Sequence, residues 1–147
     1  MVLNTVPKGM VTPAMQYRDA KAAIEWFCTV LGFEKKLVVP AGPSAIAHAQ
    51  LTFGSGMIML SSANDTEYGK LMCTPDEVGG KNTQSSLIYI PDDEIEAHFE
   101  NAKAQGVQFL VELRSEEYGG RYYSLKDPEG HLWSIGSYDP YAEPPPA

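Results

Sequence analysis

Cysteine is scarce in this chain, with two among 147 residues, and Cys28 and Cys73 lie far apart with no CxxC and no histidine-rich neighbourhood. That spacing excludes a disulfide framework and a zinc ribbon, and it makes the reducing cytoplasm the expected compartment. No apolar run approaches the ~18 residues that span a bilayer. Residues 1–8 carry neither the basic stretch nor the apolar segment of a secretory leader. Basic residues are also short: eleven Lys and Arg against nineteen Asp and Glu leave a net charge of −8. An acidic chain is repelled by phosphate backbones and anionic lipid, so neither nucleic acid nor a membrane is an expected partner. There is no GxSxG elbow, no glycine-rich phosphate loop, no HExxH and no dinucleotide-binding glycine pattern. What remains is an ordinary globular composition, 44% hydrophobic and 20% charged, of single-domain length.

One pattern is written twice along the chain. Asp19 is read as the N-cap and Gly32 as the stop of a helix whose apolar stripe is Ala20, Ala23, Ile24, Phe27 and Leu31. Cys28 falls beside that stripe and reads as a small buried hydrophobe, while Cys73 sits in a polar loop as a free thiol. Asp93 to Gly106 repeats the cap-to-glycine spacing, with Ile95, Phe99 and Ala102 as its apolar face. Strand signals flank each helix in the same order: 11–17 before the first and 35–39, 46–53 and 57–61 after it. Around the second they fall at 86–90, then 107–113, 121–125 and 132–137. Tight turns at 53–57 and 127–131 occupy matching places. The predicted fold class is therefore α+β, a βαβββ unit repeated. The modules span about 10–62 and 85–138, joined by residues 63–84 and followed by a tail at 139–147. The 63–84 segment reads either as a solvated linker or as a flap over a ligand site.

The Asp-capped helix running into Leu31-Gly32-Phe33, and the closing Asp127-Pro128-Glu129-Gly130-His131-Leu132-Trp133, resemble the vicinal oxygen chelate superfamily. That group includes glyoxalase I, extradiol dioxygenases, fosfomycin-resistance transferases and bleomycin-binding resistance proteins. The segments 46–60, Tyr118-Gly119-Gly120-Arg121 and Ser137-Tyr138-Asp139-Pro140 resemble a bacterial, glyoxalase-like subgroup. The resemblance implies a mostly antiparallel sheet curled into a cup, with helices on the convex side and ligands or metals on the concave side. It also implies a homodimer whose two pockets are completed across the interface.

Strand alternation sorts residues onto those faces. Ala47, Ala49, Leu51 and Phe53 are expected against the helix, and His48, Gln50 and Thr52 in the cup. Met57, Met59 and Ser61, then Leu87 and Tyr89, Tyr122 and Ser124, and Leu132, Ser134 and Gly136 join them. The metal positions of the superfamily map onto Thr12, Met59, Leu87 (or Ser86) and Ser134, none of which is an imidazole or a carboxylate. Divalent ions need three or four oxygen or nitrogen donors, so the site reads as free of metal and of any other cofactor. His98 is placed on a helix among polar neighbours, and His131 is given a structural bond at its turn. A His48–Ser124 or His48–Ser134 nucleophile pair has no support in the spacing.

The candidate ligand-binding residues are His48, Gln50, Met57, Met59, Tyr89, Tyr122, Ser124, Ser134 and Arg121. The methionines supply adaptable contacts, the tyrosines flat amphipathic ones, and the polar groups orientation. Arg121 is expected either to meet an anionic ligand group or to pair with Glu116, Glu117 or Glu129. The expected activity is metal-free binding of a small molecule by sequestration, as in bleomycin-resistance proteins. The alternatives are a lyase, isomerase or dioxygenase with a divergent metal site, or a structural dimer with a filled cup.

Overall fold

The computed structural model of the protein describes residues 6–143. Residues 1–5, where the lack of a leader was read, and 144–147 of the tail lie outside it. The elements are β1 (Ala14–Tyr17), α1 (Ala20–Leu31), β2 (Glu34–Ala41), β3 (Ala45–Phe53) and β4 (Gly56–Ser62). After a connector come β5 (Ser86–Tyr89), α2 (Asp92–Ala104), β6 (Phe109–Ser115), β7 (Arg121–Lys126) and β8 (Leu132–Gly136). The repeated βαβββ order is the one the sequence predicts. Each module forms a four-stranded sheet, ordered β1-β4-β3-β2 and β5-β8-β7-β6. The helix crossover makes the first and last strands of each module parallel partners, and hairpins make the other pairs antiparallel. Among the described residues no helix is long and apolar enough to cross a membrane.

Both helices pack into one core shared by the two modules. Phe27 of α1 meets Trp133 of β8 edge-on with ring centroids 5.1 Å apart, and His98 of α2 meets Phe53 of β3 at 5.6 Å. Leu51, Leu60, Tyr123, Leu125 and Ile135 bring the helix-facing sides of both sheets into this core. The opposite sides of the sheets stay open, and Leu87 and Tyr89 there remain 54% and 50% exposed.

Three local expectations are corrected. Strand β1 starts at Ala14 rather than residue 11, because Pro13 has no N–H to extend a ladder, although its carbonyl accepts from Met59 N at 2.8 Å. Ala47 is exposed, and Ile46 takes the core position instead. The β2–β3 register steps from Val39–His48 to Pro40–Ile46, skipping Ala47, and an extra residue in a strand flips the faces beyond it. Helix α2 begins at Asp92 after Pro91, with no side-chain cap, so Asp93 is not the capping residue. Asp92, Asp93 and Glu94 still place negative charge against the positive end of the helix dipole.

Asp19 does cap α1, its Oδ1 accepting from Ala22 N at 3.1 Å, and Gly32 ends the helix at φ 79°. Asp19→Ala is expected to cost about 1 kcal/mol, read as a lowered thermal midpoint. Asp93→Ala, which removes no cap, is expected to change stability by less than about 0.5 kcal/mol.

The 63–84 connector is exposed along most of its length but anchored by the buried Gly69, Thr74 and Pro75. It forms 3-10 turns at Gly69–Leu71 and Pro75–Val78. Thr74 is 1% exposed and closes a capping box with Glu77. Asn82 Nδ2 donates to the Gly130 carbonyl at 2.9 Å, and Pro75 packs under Gly130.

Candidate functional site

The nine candidate residues divide between two sheets. On the open face of the first module, Gln50 Nε2 and His48 Nε2 lie 3.2 Å apart, and the register sets Gln50 beside Met59 and Thr52 beside Met57. On the second module's open face the Ser124 and Ser134 hydroxyls are 2.7 Å apart. Leu87 pairs with Ser134, and Tyr89 and Tyr122 both flank Gly136. Gly136 lets that face close up: a Cβ there would sit 3.3 Å from Tyr122 Cβ and 3.4 Å from Leu87 Cδ1. Met57, Leu87 and Tyr89 border one cleft of about 580 Å³ between the β3–β4 turn and β5. Within one chain no hydrogen bond joins His48 or Gln50 to Ser124 or Ser134 among the described residues. The imagined His48–serine pairs are therefore not formed.

Arg121 does not belong with the others. Its guanidinium bonds the Asp92 carbonyl at 2.8 Å and the Asp92 carboxylate at 3.2 Å, with Glu96 at 3.8 Å. Ser137 Oγ also donates to Asp92, at 2.7 Å, and these contacts hold the Asp92 carboxyl below its usual pKa, the Ser137 bond foremost and Arg121 next. Neither Glu116, Glu117 nor Glu129 is its partner. The arginine on the open face is Arg114, which lies over the Tyr122 ring at 5.2 Å and donates to its hydroxyl at 2.7 Å. Its neighbour Glu116, 2.9 Å from Nε, completes that clamp. Strand alternation does not reveal the β6–β7 register steps that turn Arg114 toward Tyr122.

The other two histidines serve the joint between modules. His98 Nε2 lies 2.7 Å from the Leu31 carbonyl and Nδ1 2.5 Å from the Tyr123 hydroxyl, so both ring nitrogens have partners within the joint. His131 Nε2 reaches the Gln16 carbonyl at 3.3 Å, and its ring lies against Tyr17 at 4.8 Å. That is a structural bond, though to the first module rather than to the turn alone.

The metal positions can be tested on this register. Met59 pairs with Ala14, so Ala14 rather than Thr12 stands beside it, and Leu87 pairs with Ser134. A thioether, a methyl, an isobutyl group and one hydroxyl do not make a donor set for Mn²⁺, Fe²⁺ or Zn²⁺. Among the described residues no three His, Cys, Asp or Glu side chains cluster as a metal site. The superfamily's metal does not fit the residues present.

A doubled βαβββ unit with its two helices packed into a core shared by two four-stranded sheets defines a class of protein. The chain belongs to the glyoxalase/bleomycin resistance protein/dioxygenase superfamily, whose profile matches residues 9–135. Among solved structures it is similar to TioX from Micromonospora sp. ML1, with TM-score 0.68 and 24% identity, over 89% of this chain and 99% of that one. It is also similar to the fosfomycin resistance protein FosX of Listeria monocytogenes in complex with Mn(II) and sulfate. There the TM-score is 0.64 and identity 12%, over 91% of this chain and 95% of that one. An uncharacterised protein of Mycobacterium tuberculosis (strain ATCC 25618 / H37Rv) is 26% identical over 136 residues, covering 92% of this chain and 77% of that protein.

Proposed function

We propose that the protein binds a small organic molecule on its open sheet faces without a metal and without turnover, as a sequestering protein of the cytoplasm. One observation carries this reading: the registered cup positions hold Met59, Ala14, Leu87 and Ser134, a soft apolar surface with uncharged handles. Such a surface suits an aromatic or amphipathic ligand. Tyr89 and Leu87, each about half exposed, belong to faces that a second copy would cover. A homodimer pairing one copy's first module with the other's second would bring His48 and Gln50 toward Ser124 and Ser134.

Three measurements test the proposal together. Purified protein is expected to carry less than stoichiometric manganese, iron or zinc by elemental analysis. Sedimentation is expected to give a dimer. A panel of aromatic antibiotics and metabolites is expected to contain compounds that raise the thermal midpoint equally with and without chelator. Stoichiometric metal, with a reaction lost on chelation, would establish the lyase, isomerase or dioxygenase alternative instead.

A further inference from the structure

We propose that the cleft beneath the connector is a second binding site, adjoining the open faces, for a small molecule joining a carboxylate to an apolar body. The cleft holds about 570 Å³ along the seam between β1 and the starts of β5 and β8, roofed by residues 71–84 of the connector. None of the nine candidate ligand-binding residues lines it, although Ala14 and Leu132 border both it and the open faces.

Charge indicates the class of ligand. The chain has nineteen Asp and Glu, yet none of them borders this cleft, and Lys81 is its one permanently charged residue. An acid-free wall beside a lone ammonium favours an anion through a charge-assisted hydrogen bond. The remaining surface is apolar, with Met15, Leu132 and Trp133 forming the wall contributed by the strands. Gln16 supplies a fixed polar point. It is 5% exposed, and among the described residues its carboxamide makes a single side-chain hydrogen bond, Nε2 to the Gly69 carbonyl at 3.5 Å. That length is at the limit of a hydrogen bond, so a second amide proton and the carboxamide oxygen are left for a ligand. The roof is held by contacts of its own, the Thr74–Glu77 box and the Asn82–Gly130 bond. A cleft kept open in this way needs little reorganisation to accept a molecule.

Cys73 borders the same cleft and is exposed, which gives a direct readout. Iodoacetamide alkylation of Cys73, followed peptide by peptide, would be measured with 4-phenylbutanoate, 4-phenylbutanamide and 4-phenylbutylamine. Cys28 on α1 is the internal reference, its half-buried thiol raised in pKa by burial. The carboxylate is expected to protect Cys73 saturably and leave Cys28 unchanged, with the amide and the amine requiring at least about tenfold more, the weight of one charge-assisted hydrogen bond. Lys81→Gln, an exposed substitution, is expected to raise the half-protecting carboxylate concentration by about the same factor. Ser134→Val, on the open face, is expected to leave it unchanged. The proposal is overturned by equal protection from the three probes, by absent or unsaturable protection, or by an unaffected Lys81→Gln. Protection lost in Ser134→Val and kept in Lys81→Gln would place the probe on the open face and overturn it as well.

Discussion

Asp127→Ala is expected to lower stability by about 3–5 kcal/mol, the range for stripping a buried charged group from its partners. The Asp127 carboxylate is 4% exposed and accepts four hydrogen bonds. Tyr17 Oη donates at 2.6 Å and Trp133 Nε1 at 3.1 Å, while the backbone N–H groups of Glu129 and His131 donate at 3.0 and 3.1 Å. Alanine would orphan the tyrosine hydroxyl and the indole N–H inside the core, each at about 1–3 kcal/mol. It would also release the turn that sets the start of β8. Burial, with the Asp127 charge adding to it, pushes the Tyr17 phenol far above its usual range, so the phenol remains a donor at any working pH. Because Tyr17 lies in β1 and Asp127 follows β7, the bond ties one module to the other. At about 2–4 °C per kcal/mol for a chain of this length, the thermal midpoint of Asp127→Ala should fall by roughly 10 °C. Tyr17→Phe should lose about 1–2 kcal/mol. The double variant with Asp127→Asn should lose less than the sum of the single losses, since both remove the same bond. Strict additivity in that cycle would show that the two side chains do not cooperate.

His98→Leu is expected to cost about 2–3 kcal/mol by leaving the Leu31 carbonyl and the Tyr123 hydroxyl, both on buried residues, without partners, and also to remove a pH dependence. The Leu31 carbonyl accepts only, so Nε2 carries the proton and the neutral Nδ1 accepts from the Tyr123 hydroxyl. Burial pushes the His98 pKa below its ordinary value of 6.5, more strongly than the Leu31 bond raises it. The sign follows by linkage. The unfolded chain takes up the proton first as pH falls, so the stabilisation is complete above about 6.5 and declines as pH drops through the window below it. Denaturant midpoints of the parent protein should therefore fall between pH 7 and pH 5, before most carboxylates titrate, while those of His98→Leu stay flatter there. An equal decline in both proteins would assign the effect to another group.

The fold was legible because it is written in periods. The spacing Ala20, Ala23, Ile24, Phe27 and Leu31 needs a helix to share a face, and all five are buried in α1. Ile58 and Leu60 alternate with Met57 and Met59 as a half-buried strand requires, and the burial follows that alternation. Where the period broke, the reading failed. A single unpaired residue at Ala47 reversed the face of Ile46, and alternation alone cannot register a bulge. The split of the nine candidates between two sheets was not legible either, since periodicity assigns each side chain a face but does not say which faces meet. Arg121 looked like a ligand contact because its partner, Asp92, lies 29 residues away in sequence.

The sequence alone determined the doubled βαβββ unit and the apolar stripes, because these depend on residue type and spacing along the chain. Tertiary structure decided the rest: the helices shared between two sheets, Asp127 holding Tyr17, His98 capping α1, and a connector folded over an acid-free cleft. Those features join residues tens of positions apart. Their partners are selected by burial and hydrogen-bond satisfaction once the chain has closed.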